Sequence, residues 1–453
     1  GFMKNFSNLI YVFATFLIAF SLFLLIPKLF DYEKKQEIIK EYLINNYDLE
    51  INNYTSKRFN IFPLPNLSIK NVDLKVKDRP ISLKAKNLKI FLNLKNIYNY
   101  ENFNAKKIIL SETELDLDID IMKELMIYFW KLENNLDVNA LNINLKQEDR
   151  SLFKIKEVSF SNYGYKKYKV KGKIFNKRFR AHLKNDNKDL NFKIFNTGVK
   201  ADFKFSEKSS LDSISGSSKV RFLNNYLKFD FIFHDNQFEI IKSNFKNKNL
   251  SIAFDSIINF SPFFGAKSDI NIKEINTKLF NKINLRKFLK NKKIIKKLSI
   301  DNTIKYSSKK YRNSLIKSYT SNSSLTYGRL VFLNKIFISG GDISCKGNSL
   351  LTEEYPRLNF FCLFNLKDKK KLFKKFSINE KININPIKLN IEGSLNLFNR
   401  KINLRKINID ETYIANETDK KYFKEIFETT LFDDGFFGIF RMNKLKEFLL
   451  EVI

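Results

Sequence analysis

The chain has 453 residues and carries 81 Lys+Arg against 48 Asp+Glu, which gives a formal net charge of +33. With only 13 Gly and 7 Pro but 47 Phe, the composition excludes collagen and Pro/Gly-rich disorder, and it predicts a chain that folds. Two Cys and two His exclude a disulfide-rich scaffold and argue against a zinc cluster or a histidine relay.

The first predicted element is an apolar helix. Residues Asn5–Pro27 carry no charge, and the stretch Leu9–Ile26 is long enough to span the ~30 Å hydrocarbon core of a bilayer. A cleaved signal peptide is the main alternative, but its apolar part is shorter and ends at a small-residue site that Pro27–Phe30 does not offer. A buried core helix is the other alternative. We expect an uncleaved single-pass anchor over residues 1–31, held in the membrane by side chains such as Leu9, Phe16, Leu22 and Leu25.

The next segment, residues 32–50, is predicted to be an amphipathic linker helix. Its apolar residues Ile38, Ile39, Tyr42 and Leu43 fall at helical spacing, and Asn45-Asn46 is predicted to end the helix over 32–46.

From residue 51 to residue 418 the hydrophobic period changes to two. Strict alternation over Leu115–Ile121, Ile270–Ile275, Ile382–Leu397 and Ile402–Ile409 predicts strands with one apolar and one polar face. Helical interruptions are predicted at Met122–Leu132 and Leu285–Leu298, and a C-terminal helical segment at 419–453, broken near Asp433–Gly435. So few helices cannot cover this much sheet, which leaves a sandwich or closed barrel, or an open trough whose apolar side contacts something other than protein.

Two neighbouring predicted strands share a local irregularity. In Leu67–Val76 the apolar residues step by two, skip once after Ile69 and resume; in Leu83–Leu92 the same skip follows Ala85. An extra residue at matching points indicates a bulge. Pro63 and Pro65 cannot donate ladder hydrogen bonds, so they are expected at the beginning or edge of a strand.

The stretch Phe59–Val76 resembles the start of the AsmA family of bacterial envelope proteins, which is related to TamB-type and other bridge-like lipid transfer proteins. The order of elements is similar as well: an N-terminal anchor, a short helix, a Phe-Pro-Leu-Pro turn, and the late strand pair Asn390–Ile407. The family usually has Gly where the first helix meets the first strand, and this chain has Asn46-Tyr47.

The resemblance implies a mainly β protein of a Gram-negative bacterium. An N-terminal transmembrane helix in the inner membrane would precede an elongated, curled antiparallel β-sheet groove in the periplasm, with a few short helices and a C-terminal helix. The groove would shield phospholipid acyl chains during transport between the inner and outer membranes and so serve outer-membrane biogenesis. Candidate groove residues are Leu67, Ile69, Leu74, Leu83, Leu92, Leu115, Leu117, Ile119, Ile391 and Leu395.

The alternative function is an anchored scaffold or assembly factor for outer-membrane proteins that conducts no lipid. A nucleic-acid-binding role rests on the positive charge alone, which the codon bias of an AT-rich genome also explains; we therefore expect phospholipids, the inner membrane and other envelope proteins as partners, and no nucleic acid.

No sequence motif for an enzyme, a cofactor or a metal is found. Asp116, Asp118 and Asp120 place three carboxylates on one strand face, which is more typical of a solvated outer face neutralised by Lys across the ladder than of a metal site. His182 and His234 have no partner His nearby in the sequence. Cys345 and Cys362 are equidistant from the turn-like Thr352–Pro356, so a hairpin there would make them cross-strand neighbours; a disulfide and two free thiols remain the alternatives.

Overall fold

The computed structural model describes residues 2–25, 36–93, 102–184, 188–210, 212–222, 225–260, 264–276, 278–279, 284–309, 314–379, 385–433, 435 and 441–452. Over these residues the protein is mainly β, with 24 strands and a few helices, as the alternating sequence predicted. The chain forms two compact units, Gly1–Glu207 (unit 1) and Lys208–Ile453 (unit 2).

Unit 1 begins with two helices and continues into strands. The helices are α1 (Phe2–Leu25), α2 (Gln36–Tyr47) and α3 (Met122–Lys131). The strands are β1 (Leu49–Asn53), β2 (Ser56–Asn60), β3 (Asn66–Val76), β4 (Ser82–Leu92), β5 (Ala105–Asp118), β6 (Leu136–Gln147), β7 (Arg150–Ser161), β8 (Lys169–Ile174), β9 (Lys177–Lys184), β10 (Asp189–Ile194) and β11 (Lys200–Phe205).

Unit 2 has strands throughout and helices toward its C-terminal end. The strands are β12 (Ser213–Phe222), β13 (Asn225–His234), β14 (Gln237–Lys246), β15 (Leu250–Asn259), β16 (Gly265–Ile275), β17 (Ser299–Ser307), β18 (Ile316–Thr326), β19 (Arg329–Ile338), β20 (Gly341–Leu350), β21 (Arg357–Leu366), β22 (Ile387–Asn396), β23 (Ile402–Ile409) and β24 (Tyr413–Ile414). The helices are α4 (Leu285–Lys290), α5 (Lys292–Ile295), α6 (Lys369–Lys375), α7 (Glu417–Ile426), a π-helical turn (Phe427–Leu431) and α8 (Met442–Val452).

The described strand pairing is antiparallel except at two places, so the expectation of a purely antiparallel sheet is wrong. β5 pairs with β6 in parallel, and β16 pairs with β17 in parallel. A parallel pair needs a long crossover connection. Helix α3 lies in the first connection, and α4 and α5 lie in the second, at the two positions where helical interruptions were predicted.

The first long strands are irregular at the predicted point, but the register of β3 against β4 is the same on both sides of it, so the predicted bulge is not seen there. Asn71 on β3 lies opposite Lys86 on β4, between two regularly paired stretches. The irregular row continues through Glu112 on β5 to Ala140 on β6. Asn71, Glu112 and Ala140 have φ angles of 47°, 49° and 55°, and Lys86 Nζ lies 2.8 Å from the Glu112 carboxylate.

Several boundaries differ from those expected. Helix α2 continues to Tyr47, and the left-handed turn after it is taken by Asp48 at φ 51° and not by Asn46. Strand β5 ends at Asp118, and Ile119–Ile121 forms a 3-10 turn in place of the predicted strand end. Residues 32–35, at the predicted start of α2, lie outside the described residues.

Helix α1 includes the predicted anchor residues. The side chains of Phe16, Leu22 and Leu25 are exposed by 63%, 57% and 41%, and Leu9 lies in the same helix. Within the part of the chain that the structure describes, however, no helix is long and apolar enough to cross a membrane.

Candidate functional site

The groove candidates of unit 1 lie on one face of the sheet, but that face is covered. Leu67, Ile69, Leu74, Leu83, Leu92, Leu115, Leu117 and Ile119 are at most 9% exposed. Helix α2 places Ile39 and Leu43 in the same core, and α3 adds Leu125 and Tyr128. The structure therefore places seven of these residues in a core filled by protein and not on an open wall, and the eighth, Ile119, is buried in the 3-10 turn after β5.

Tyrosine hydrogen bonds hold the two covering helices in place. The Tyr128 hydroxyl donates to the Tyr47 carbonyl oxygen at 2.8 Å, and the Tyr47 hydroxyl donates to the Asn135 carbonyl oxygen at 3.1 Å. Burial raises the pKa of both phenols far above the ordinary value. In the neighbouring loop, the Tyr163 hydroxyl donates to the Asp137 carboxylate at 2.6 Å. Burial is the main cause of the raised pKa of Tyr163, and the hydrogen bond to Asp137 raises it further.

The last two groove candidates, Ile391 and Leu395, lie on β22 near the C-terminal end of unit 2. Leu395 is 5% exposed and belongs to a cluster with Ile402 and Phe432, and Ile391 packs against that cluster. Phe423 of α7 and Phe427 of the π-helical turn cover it from the other side. This end of the sheet is therefore also closed by the chain itself.

Strands β15–β21 of unit 2 present a continuous face, here called the inner face. Strand register places one cross-strand row in sequence from β15 to β21: Phe254, Ile270, Ile304, Ser321, Asn334, Cys345 and Cys362. A second row is apolar throughout: Ile252, Ile272, Tyr306, Tyr319, Ile336, Ile343 and Phe364. Apart from Cys345 and Cys362, no residue of these two rows was assigned a role from the sequence.

The inner face is partly exposed where the face of unit 1 is buried. On β15–β18 its apolar side chains are all of intermediate exposure: Ile252, Phe254, Ile258, Ala266, Ile270, Ile272, Ile300, Ile304, Tyr306, Tyr319 and Leu325. The described helices pack near the ends of these strands, where α4 and α5 meet Leu325 and Leu330, and where α6 and α8 form a cluster with Ile336, Ile338 and Ile343. Among the described residues, the middle of the inner face thus has no helical cover comparable to that of unit 1.

Small polar side chains occupy the middle of the inner face. The Ser256 and Ser268 hydroxyls lie 2.8 Å apart. The Ser321 and Tyr319 hydroxyls both donate to the Asn334 side-chain oxygen, at 2.6 and 3.3 Å. These polar groups are therefore hydrogen-bonded to one another across the strands.

Cys345 and Cys362 lie directly opposite each other in the hairpin of β20 and β21, which confirms the predicted hairpin, and a disulfide joins them. Because Cys345 pairs with Asn334 and Cys362 pairs with Ile391, the bond lies on the inner face.

The opposite face is polar around β5 and β6, whereas on β19 and β21 it also exposes the apolar side chains of Val331, Leu333, Phe337 and Leu363. Asp116 accepts hydrogen bonds from Lys146 at 2.6 Å and from Asn144 at 3.0 Å, and the Lys146 bond is the main cause of its lowered pKa. These bonds cross the ladder, as predicted for a solvated face. His182 lies on β9, and His234 lies at the end of β13 with Nε2 3.7 Å from Glu239. Over the described residues, no three His, Cys, Asp or Glu side chains are grouped to hold a metal ion.

No protein family model, no curated protein and no solved structure matches this chain. The resemblance to the AsmA family therefore rests on the sequence stretches quoted above.

Proposed function

We propose that the chain is a membrane-anchored protein of the periplasm that holds phospholipid acyl chains on the inner face of unit 2 and takes part in lipid transport between the inner and outer membranes. The observation that carries the proposal is the partial exposure of a continuous apolar face over β15–β21. The sequence resemblance to the AsmA family supports the same function.

Such a surface would remove a large free-energy barrier to the transfer of a lipid through water. A lipid with two chains of ~16 carbons that crosses water alone exposes its CH₂ groups at ~0.8 kcal/mol each, on the order of 25 kcal/mol in total. Transition-state arithmetic gives a rate near ~10⁻⁶ per second at that barrier. A surface that covers the acyl chains and leaves the headgroup in water removes most of this cost.

The size of the inner face suits an acyl chain. Seven strands, β15–β21, at ~4.8 Å spacing extend over roughly 34 Å. One leaflet of a ~30 Å hydrocarbon core is about 15 Å thick, so an extended acyl chain fits within the length of the face. The chemistry needs no catalytic residue, because binding is distributed over many aliphatic contacts.

The lipid-carrying region in this proposal differs from the one expected from sequence. The candidates of unit 1 are buried, seven of them in a core that includes residues of α2 and α3, and Ile391 and Leu395 lie next to the cover of α7. The filled core of unit 1 fits the alternative function, an anchored scaffold or assembly factor for outer-membrane proteins that conducts no lipid. The anchor itself rests on the uncharged sequence Asn5–Pro27.

Site-specific photocrosslinking tests the proposal. A photoreactive residue at Phe254, Ile270 or Ile304 is expected to crosslink to phospholipid in cells, and lipid is expected to co-purify with the chain in mild detergent. Matched controls one residue away, at Asp255, Asn271 and Thr303, point to the opposite face and are expected to give no lipid adduct.

Leu117 and Ile119 provide a second control within unit 1. Because they are 2% and 3% exposed, probes there are expected to crosslink only within the protein. If no probe on either face of unit 2 gives a lipid adduct, and probes at exposed positions crosslink to other proteins, the scaffold role is favoured instead.

A further inference from the structure

A surface of unit 1 combines exposed aromatic side chains with lysines. It is formed by helix α3 and by the loop between β7 and β8, and is here called the aromatic–lysine patch: Met126, Trp130, Tyr165, Lys166, Lys167, Tyr168 and Lys169. Met126, Trp130 and Tyr165 are exposed by 56%, 49% and 81%. Exposed apolar and aromatic side chains that lie together often mark an interaction site, so a binding partner is expected at this surface.

Direct contacts make the patch one surface. The Trp130 ring stacks on Tyr168 with the centroids 6.0 Å apart, which joins the helix to the loop. Lys167 Nζ lies 4.7 Å from the Tyr168 ring, and the Nζ atoms of Lys166 and Lys169 lie 5.8 and 5.9 Å from the Tyr165 ring. The patch therefore presents lysine ammonium groups beside aromatic rings.

The patch itself carries Lys166, Lys167 and Lys169 and no acid. Residues 122–133 and 163–169 together carry five lysines, at positions 123, 131, 166, 167 and 169, against two acids, Glu124 and Glu133. Glu124 is already paired with Arg79 from the β3–β4 turn. Oδ2 of the nearby Asp137 accepts a hydrogen bond from the Tyr163 hydroxyl and lies 4.0 Å from Lys107 Nζ.

We infer that the aromatic–lysine patch docks unit 1 on an anionic phospholipid surface. Tyr and Trp rings are amphipathic and settle at the level of the headgroups, while lysines are attracted by the negative surface potential. Met126, one helical turn before Trp130, adds an apolar side chain that can enter the acyl boundary but offers no stacking plane to a nucleic-acid base. Docking at this patch does not require the lipid-carrying face proposed for unit 2.

Trp130 is the only tryptophan of the chain, so its fluorescence reports on the patch alone. The experiment uses the full chain in nanodiscs of phosphatidylcholine, with or without phosphatidylglycerol, and with brominated acyl chains as quencher. In the anionic discs the Trp130 emission is expected to move to shorter wavelength and to be quenched by the bromines. Both effects are expected to weaken with added salt.

The double variant Lys166→Gln/Lys167→Gln is expected to reduce docking about 30-fold, the loss expected from removing two lysine attractions to an anionic surface. The control Lys293→Gln/Lys296→Gln removes the same charge from exposed positions of unit 2 and is expected to leave the Trp130 signal unchanged. Tyr165→Asn, at an 81% exposed position, tests the aromatic contribution without touching the core.

Two results would overturn the inference. One is a Trp130 emission that is the same in neutral and anionic discs. The other is a Trp130 response to a single-stranded oligonucleotide that depends on Lys166 and Lys167 and has no counterpart in anionic discs, which would assign the patch to nucleic acid.

Discussion

The hydroxyl of Tyr128 donates a hydrogen bond to the carbonyl oxygen of Tyr47 at 2.8 Å, and this bond fastens helix α3 to the last residue of helix α2. Tyr47 and Tyr128 are 1% and 4% exposed. The two helices come from distant parts of the sequence, and together they close the apolar face of unit 1. Unit 2 has the same alternation of apolar and polar residues, but the middle of its inner face lacks an equivalent pair among the described residues.

Replacing Tyr128 by Phe is expected to destabilise unit 1 by ~1–3 kcal/mol, because the buried Tyr47 carbonyl oxygen loses its partner. Urea unfolding followed by Trp130 fluorescence measures the change, since Trp130 lies on α3. The control Tyr165→Phe removes the same hydroxyl from an 81% exposed side chain and is expected to change the stability by a few tenths of a kcal/mol at most. Equal effects of the two substitutions would contradict the role assigned to the bond.

The same tyrosines predict a dependence on alkaline pH. Burial raises the pKa of Tyr47 and of Tyr128 above the unfolded value of ~10. Above pH ~10 the folded state therefore binds more protons than the unfolded state, and the free energy of unfolding falls as pH rises. Below that pH the contribution is fully present.

Urea midpoints of unit 1 at neutral pH, at pH ~9 and above pH ~10 test this expectation. The decline is expected to approach about 1.4 kcal/mol per pH unit for each tyrosine, and it should be smaller in the double variant Tyr47→Phe/Tyr128→Phe. An identical decline in wild type and double variant would assign the alkaline sensitivity to other groups.

The irregular row across β3–β6 predicts a stabilising substitution. Ala140 has φ 55°, a left-handed conformation that costs a residue with Cβ roughly 1–2 kcal/mol. Ala140→Gly relieves this strain but loses some backbone entropy, so a net gain of about 0.5–1 kcal/mol is expected. The control is Ala181→Gly in β9, where the backbone has no left-handed φ angle to relieve. This substitution is expected to lower the free energy of unfolding by about 0.5–1 kcal/mol.

The sequence predicted much of this fold because strand alternation and helical spacing are local signals. The irregular pair at Asn71 and Lys86 was visible in the skipped apolar step, and helix α3 was expected within one residue of its observed end. The parallel pairing of β5 with β6 was missed, although the α3 helix between two strands is the usual signal for a crossover connection.

The site was harder to predict, because burial depends on residues far away in the sequence. Leu117 and Ile270 both stand in strictly alternating segments with acidic and polar neighbours, and nothing local separates them. Leu117 is 2% exposed because the core of unit 1 includes α2 and α3, whereas Ile270 is partly exposed. Alternation identifies the apolar face of a strand but not what covers it.

The disulfide predicts a measurable stabilisation of unit 2. Cys345 and Cys362 close a loop with a sequence separation of 17, which corresponds to about 3 kcal/mol in the chain-entropy description. The variant Cys345→Ser/Cys362→Ser is expected to unfold earlier in urea by that amount, and reduction of the wild-type protein is expected to reproduce the effect. Alkylation of both thiols in non-reduced protein, seen by mass spectrometry, would exclude the bond.

A charge introduced on the inner face of unit 2 tests whether that face is open to lipid or is covered by protein like the core of unit 1. Ile270→Asp is expected to lower the phospholipid that co-purifies with the chain, because a carboxylate on the floor of the face disfavours acyl chains. Its effect on unfolding is expected to be about 1 kcal/mol, since Ile270 is already partly exposed to water.

Two further substitutions serve as controls for Ile270→Asp. Asn271→Asp adds the same charge to the opposite, exposed face of β16 and is expected to leave both lipid and stability unchanged. Leu117→Asp buries a charge in the filled core of unit 1 and is expected to cost more than about 4 kcal/mol, with unfolding as its main consequence. If Ile270→Asp instead unfolds unit 2 as severely as Leu117→Asp unfolds unit 1, then Ile270 is covered by protein in solution, and the inner face is not available to lipid.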